Sequence, residues 1–247
     1  MIKKKIVWAL FDDGERSYYN ALKDDDRYMV ISIGINKKHP ENDNYKIIDL
    51  SITNLDLFKE LNKLPAPDVI IASPPCESWS MADNPCFAWT SISDLGDKGV
   101  EVLLKNERFY TMWNEKGIKN RFRYFRNKEI KRIIGENTVA ALCEIIKEYK
   151  PETWIIENPA TSKIFDWIKY FHCLFGFPKK TYYSAYNKEF SLKPTIFYSN
   201  TFLDLKDKRT EGKKWGMFGS RLADNCNYDI RSKIPAELIQ DIFKNLG

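Results

Sequence analysis

The stretch Ser73-Pro74-Pro75-Cys76-Glu77-Ser78-Trp79-Ser80 has the make-up of a fixed nucleophile. Proline locks φ and removes a hydrogen-bond donor, and it pushes the residue before it towards extended geometry. The apolar run Val69-Ile70-Ile71-Ala72 precedes the motif, so Cys76 lies just past a strand end on a stiff backbone. A thiol held in this way suits covalent catalysis. A free cysteine is more commonly a small buried hydrophobe; the prolines and the strand end favour chemistry here. A second stretch, Thr153-Trp154-Ile155-Ile156-Glu157-Asn158-Pro159, has the same form. Alone, Glu157 is as well explained by capping the turn that follows. Active sites of open α/β sheets collect at strand carboxyl ends, so Cys76 and Glu157 both lie where an active site is expected.

The elements that must position these two residues read as an α/β alternation. Ile6–Phe11 is a nearly continuous apolar run, the mark of a strand buried on both faces. A polar turn follows, and Ser17 is placed to cap a helix through Leu22. Tyr28–Ile35 and Lys46–Leu50 read as the next strands, Asn54–Leu61 as a helix, and Val69–Ala72 as the fourth strand. Thr138–Tyr149 carries Val139, Leu142, Ile145 and Ile146 at helical spacing, and Pro151 ends it before the Glu157 strand. Strands alternating with helices predict a doubly wound, mostly parallel sheet.

The chain has 247 residues, which predicts one domain over residues 1–247. Its five cysteines (Cys76, Cys86, Cys143, Cys173 and Cys226) are odd in number and widely spaced, which argues against a disulfide framework. Without a Cys-x-x-Cys pair, and with only two histidines, no zinc site is expected. No apolar run approaches the roughly 20 residues of a membrane span. The N-terminus runs straight into a strand without a signal peptide's apolar region. A soluble cytoplasmic protein is expected. The net charge of +5 suits an anionic partner without proving one.

Residues 84–132 break the alternation and read as an inserted loop region with one or two short helices. Near its end, Lys119-Asn120-Arg121-Phe122-Arg123-Tyr124-Phe125-Arg126-Asn127-Lys128 interleaves arginine with aromatics. That pattern suits a phosphate backbone with exposed bases, and equally a solvated basic face. The C-terminal third reads as irregular apart from a strand within Lys193–Asn200 and a final helix opening near Ser232.

Together, Pro-Pro-Cys-x-Ser-Trp-Ser and Glu-Asn-Pro, in this order, resemble the DNA cytosine carbon-5 methyltransferase family. The segment Lys193-Pro194-Thr195-Ile196-Phe197-Tyr198-Ser199-Asn200 looks like the late strand of its phage-type branch. The resemblance implies the Rossmann-like fold of a class I S-adenosylmethionine-dependent methyltransferase. It implies a thiolate of Cys76 adding to cytosine carbon 6, Glu157 delivering a proton to ring N3, and a target base flipped from the stack. It also implies S-adenosylmethionine as cofactor, duplex DNA as partner and no metal. The positions it assigns to the cofactor are Phe11, Asp12 and Gly14 in the first turn, Asn36, Asp49 and Pro74. Arg121, Arg123, Arg126 and Lys193 are assigned to nucleic acid.

The chain departs from the family at three points. Its first turn, Asp12-Asp13-Gly14-Glu15-Arg16, keeps one glycine where the family has several. Asn36 or Gly34 replaces the acidic residue that ends the second strand, and the Gln-x-Arg-x-Arg strand is missing. Residues 187–230 leave space for only a reduced recognition region. The carboxylates of the first turn disfavour a phosphate-bearing cofactor and suit a cationic one. A catalytically silent nucleic-acid-binding relative is the competing reading. An RNA methyltransferase of the same chemistry is another, since the family has a transfer-RNA branch.

Overall fold

Alternate residues of the central strands feed two separate cores. Trp8 and Leu10 of the first strand, with Ile70, Ala72 and Ile156 of its neighbours, pack in one. Val7, Ala9, Val69, Ile71 and Ile155 pack in the other. This is the period of two that an extended chain imposes, and it demands helices on both faces. The computed structural model supplies them; it describes residues 3–12, 14–79, 89–92, 101–104, 125–209, 211–212 and 232–246.

The main sheet contains β1 (Lys5–Leu10), β2 (Tyr28–Gly34), β3 (Tyr45–Ile47), β4 (Val69–Ala72), β7 (Thr153–Pro159), β8 (Phe177–Tyr182) and β9 (Pro194–Ser199). Their order is β3-β2-β1-β4-β7-β9-β8. Neighbours from β3 to β7 pair in parallel, and β9 runs antiparallel to both β7 and β8. Helices α2 (Leu57–Leu61), α3 (Phe125–Tyr149) and α4 (Ile164–His172) send Leu57, Leu142 and Ile168 into the first core. Helices α1 (Ser17–Leu22) and α5 (Ala236–Lys244) cover the second with Tyr18, Leu22, Leu238 and Phe243. A doubly wound sheet with this strand order and a reversed strand between its last two neighbours is a Rossmann-like fold, as the alternation of elements predicts.

Several elements differ from their expected bounds. Helix α3 begins at Phe125, well before Thr138. Its first half leaves Ile130, Ile133 and Ile134 exposed, so no buried stripe marks it, and Gly135 reads as a break. An i,i+3/i,i+4 network supports it instead: Arg132 pairs with Glu129 and Glu136, each at 2.8 Å. Within 84–132 the described residues form an antiparallel pair, β5 (Trp89–Ile92) with β6 (Glu101–Leu104), and the start of α3; the rest of the region, with the short helices expected in it, lies outside the described residues.

Helix α2 starts at Leu57 because Asn54 spends its side chain on a turn, accepting from Asp56 N at 3.1 Å. Strand β3 is Tyr45–Ile47, which leaves Asp49 beyond its end. The C-terminal third is more regular than expected: β8 and β9 close the sheet. Helix α5 opens at Ala236, behind Pro235, and not near Ser232. Among the described residues, no helix is long and apolar enough to cross a membrane.

Candidate active site

A cavity of about 650 Å³ lies across the carboxyl ends of the parallel strands. Cys76 and Glu157 both line it, as do Phe11, Asp12, Gly14, Asp49, Pro74 and Lys193. The fold thus gathers most of the site residues expected from the sequence into one space.

The loop that carries Cys76 leaves β4 and is pinned on both sides of that residue. Before it, the Pro74 carbonyl accepts a hydrogen bond from Asn158 Nδ2 at 3.0 Å. After it, Trp79 N donates to Cys76 O at 3.0 Å. Trp79 is fully buried, with its ring 5.3 Å from that of Trp167. Helix α3 holds the outer side: Ser78 Oγ donates to Lys131 O, and Glu77 meets Lys131 Nζ at 2.8 Å. The half-buried Cys76 therefore has a rigid backbone and a face in the cavity. Cys143, by contrast, is buried in the core, where the loss of water pushes its thiol up to about 12; it has a packing role. Cys86 and Cys226 lie outside the described residues, and Cys173 is exposed at the end of α4.

Glu157 lies within β7, opposite Phe197 of β9, and not beyond the strand. The residue is buried, at 5 % exposure. Tyr183 OH donates to Oε1 at 3.0 Å, and Thr195 Oγ1 lies 2.5 Å from the same oxygen. Lys193 Nζ is 3.6 Å away and 5.0 Å from the centre of the Tyr183 ring. Lys193, expected on nucleic acid, thus faces the acid. Burial, and then the charge of Glu157, hold the Tyr183 phenol well above its ordinary range. Tyr18, whose hydroxyl is 2.6 Å from Ser73 Oγ, is raised by the same two causes.

The other end of the cavity is walled by the β1 turn, the end of β2 and the segment after β3. The turn that glycines usually build is made here by two side-chain-bearing residues in the left-handed region, Phe11 (φ 60) and Arg16 (φ 51). Such strain costs about 1–2 kcal/mol per residue and persists where surroundings hold it. They do: a His39 ring nitrogen donates to Gly14 O at 2.8 Å. Lys38 meets Glu15 at 3.1 Å, and Arg16 donates to Asn44 O at 2.7 Å while stacking on Tyr19.

Asp12 takes the capping role expected of Ser17. Its carboxylate accepts from Tyr18 N and Tyr19 N, both at 3.2 Å, and from Ser32 Oγ at 2.8 Å. Burial raises its pKa to about 7, against the pull of those hydrogen bonds and of Arg16. Ile48, Leu50 and exposed Ile35 give this end apolar walls. The carboxylates of Asp12, Glu15 and Asp49 could hold a cationic ligand.

Asn36 is the cofactor candidate that does not line the cavity. Strand β2 stops at Gly34, and Asn36 Oδ1 accepts from Lys38 N at 2.9 Å within its own turn. Arg121, Arg123 and Asp13 lie outside the described residues; Arg126 is described only by its backbone, in the first turn of α3. Among the described residues, no group of three or more His, Cys, Asp or Glu could hold a metal ion. Sequence reasoning missed Tyr183 and Thr195 as neighbours of Glu157. The antiparallel pairings of β7 with β9 and of β9 with β8 bring them there, and no local pattern encodes these pairings.

No family model matches the sequence, and no curated protein matches it. Among the solved structures similar to this chain are two methyltransferases. One is the Dnmt2 methyltransferase of S. pombe, at 14% identity and a TM-score of 0.44, covering 82% of this chain and 52% of that one. The other is the Entamoeba histolytica methyltransferase EhMeth, at 14% identity and a TM-score of 0.42, covering 85% of this chain and 58% of that one. The chain spans a little over half the length of each.

Proposed function

We propose that this chain is an S-adenosylmethionine-dependent methyltransferase acting on carbon 5 of cytosine in DNA, through a covalent bond from Cys76. One observation carries the proposal: Cys76 and Glu157, on loop and strand of adjacent β4 and β7, line one cavity, with Asn158 bonded to the loop that holds Cys76.

The residues at the far end fit the cofactor. S-adenosylmethionine has a cationic sulfonium and ammonium and no phosphate, and it would meet the carboxylates of Asp12, Glu15 and Asp49, with Phe11, Ile48 and Leu50 beside its flat adenine. When bound, it supplies an electrophilic methyl group. The chain's own residues do the rest. Cytosine carbon 5 is a poor nucleophile, and addition of the Cys76 thiolate to carbon 6 gives the ring enamine character. Glu157 delivers a proton to ring N3, which absorbs the charge that develops; once carbon 5 is methylated, loss of its proton to a proton acceptor lets the Cys76 thiolate leave carbon 6, and N3 returns its proton to Glu157. The base must leave the duplex to reach the thiol. Arg121, Arg123 and Arg126 are the proposed phosphate contacts.

The test is covalent trapping. Duplex DNA with 5-fluorocytosine at a methylated site, incubated with S-adenosylmethionine, should form a stable adduct on Cys76. Cys76→Ala should abolish it, and single-stranded RNA should trap more slowly. An adduct on another cysteine, or methyl transfer surviving Cys76→Ala, would overturn the proposal. A catalytically silent relative would bind DNA without trapping, and calorimetry would show no cofactor binding.

A further inference from the structure

We infer that Tyr183 is a positioning residue for Glu157, fixing which of its two carboxyl oxygens faces the substrate. The inference rests on the reading of Glu157 as proton donor. All hydrogen-bond and ion-pair partners of the Glu157 side chain among the described residues converge on Oε1. Tyr183 OH donates to it at 3.0 Å, Thr195 Oγ1 lies at 2.5 Å, and Lys193 Nζ at 3.6 Å. Glu157 also lines the cavity, so Oε2 is the oxygen left for a ligand.

The three partners differ in what they can fix. Thr195 has one hydroxyl proton and two acceptors, Glu157 Oε1 and Asn158 O at 3.0 Å, so it can serve either. Lys193 contributes charge at a distance beyond a good hydrogen bond. Tyr183 is buried, at 1 % exposure, and keeps its proton because burial and the nearby carboxylate disfavour the phenolate. Its phenol is the constant donor. A proton on Oε1 would compete with that donor and face the Lys193 ammonium. The acid form therefore carries its proton on Oε2, where the ring nitrogen of a base in the cavity can take it. Tyr183 does not touch the reacting atoms; it acts through Glu157.

Tyr183→Phe removes the hydroxyl and keeps the ring. With one donor gone, the carboxyl group can rotate or place its proton on Oε1. We expect kcat to fall about tenfold to a hundredfold, the range of one hydrogen bond to a charged group, with KM for S-adenosylmethionine unchanged. In protein labelled with ¹³C at glutamate carboxyls, the resonance missing from Glu157→Gln identifies Glu157. That resonance should shift in Tyr183→Phe, a readout that needs no turnover and that loss of packing alone would not give. A wild-type kcat, or an unmoved Glu157 resonance, overturns the inference. The reading beneath it fails differently: Cys76→Ala and Glu157→Gln would then retain full methyl transfer.

Discussion

Asn158 Nδ2 donates to the carbonyl oxygen of Pro74, 3.0 Å away and 84 residues earlier in the chain. The bond ties the strand that carries Glu157 to the loop that carries Cys76. Asn158 is 1 % exposed, so Asn158→Ala leaves a buried carbonyl without its donor, at a cost of about 1–3 kcal/mol. We expect a lower melting temperature and adduct formation slower by more than tenfold, with cofactor binding by calorimetry unaltered. Trapping at the wild-type rate would mean that Trp79 and helix α3 alone hold the loop.

Gly135 is where helix α3 meets that same loop. A Cβ at this position would lie 2.8 Å from Ser78 Oγ, 2.9 Å from Ser78 Cβ and 3.1 Å from Trp79 Nε1. Alanine in place of a helical glycine ordinarily stabilises by about 1 kcal/mol. Here overpacking against a pinned loop should reverse the sign, with a loss of about 1–3 kcal/mol. Denaturant melts of Gly135→Ala give the sign, and the rate of Cys76 trapping should fall with it. A stabilised variant would show that the loop yields freely.

Asp12 sets a pH dependence. Its folded pKa of about 7 lies above the ordinary 3.8 because burial disfavours the charged form. A raised carboxyl pKa means that the native state holds a proton that the unfolded chain has released. The contribution is fully present below pH 3.8 and is lost as pH rises to about 7. Asp12→Asn removes this component, although it costs helix α1 part of its cap. The fall in melting temperature between pH 5 and pH 7.5 should be smaller in Asp12→Asn than in the wild type. Equal falls would place the titration elsewhere.

The centre of the fold was readable because each of its strands is an apolar run closed by a distinct polar or proline-rich segment. Val69–Ala72 matches the structure at both ends, and Cys76 and Glu157 lie at the sheet's carboxyl edge as their flanking residues imply. Legibility failed where a long-range partner decides the outcome. Strand β8, Phe-Pro-Lys-Lys-Thr-Tyr, has exposed residues and a proline, so it forms only because β9 pairs with it. Within α3, residues 129–134 bury little and show no apolar stripe. The surroundings of Glu157 depend on the β7–β9 register, and the three internal donors that hold Asp12 in the cavity wall cannot be read from its neighbours in sequence.

Lys193 and the arginines of the basic stretch carry separable predictions. Lys193 Nζ lies 3.6 Å from Glu157 Oε1, with the lysine side chain 27% and the glutamate 6% exposed. The pair falls between surface and buried ion pairs, and its loss should cost about 1–2 kcal/mol. Lys193→Gln should lower kcat with little change in the salt dependence of DNA binding, because its charge is directed at the acid. Arg121, Arg123 and Arg126 replaced together by alanine should do the reverse. Affinity should fall, and the slope of log affinity against log salt should flatten by roughly 2–3, close to one counterion per lost phosphate contact. Fluorescence anisotropy at four salt concentrations measures both slopes. If Lys193→Gln flattens the slope while leaving kcat intact, the lysine belongs to the nucleic-acid surface. If the triple variant leaves the slope unchanged, the basic stretch is a solvated face and the DNA contacts lie elsewhere.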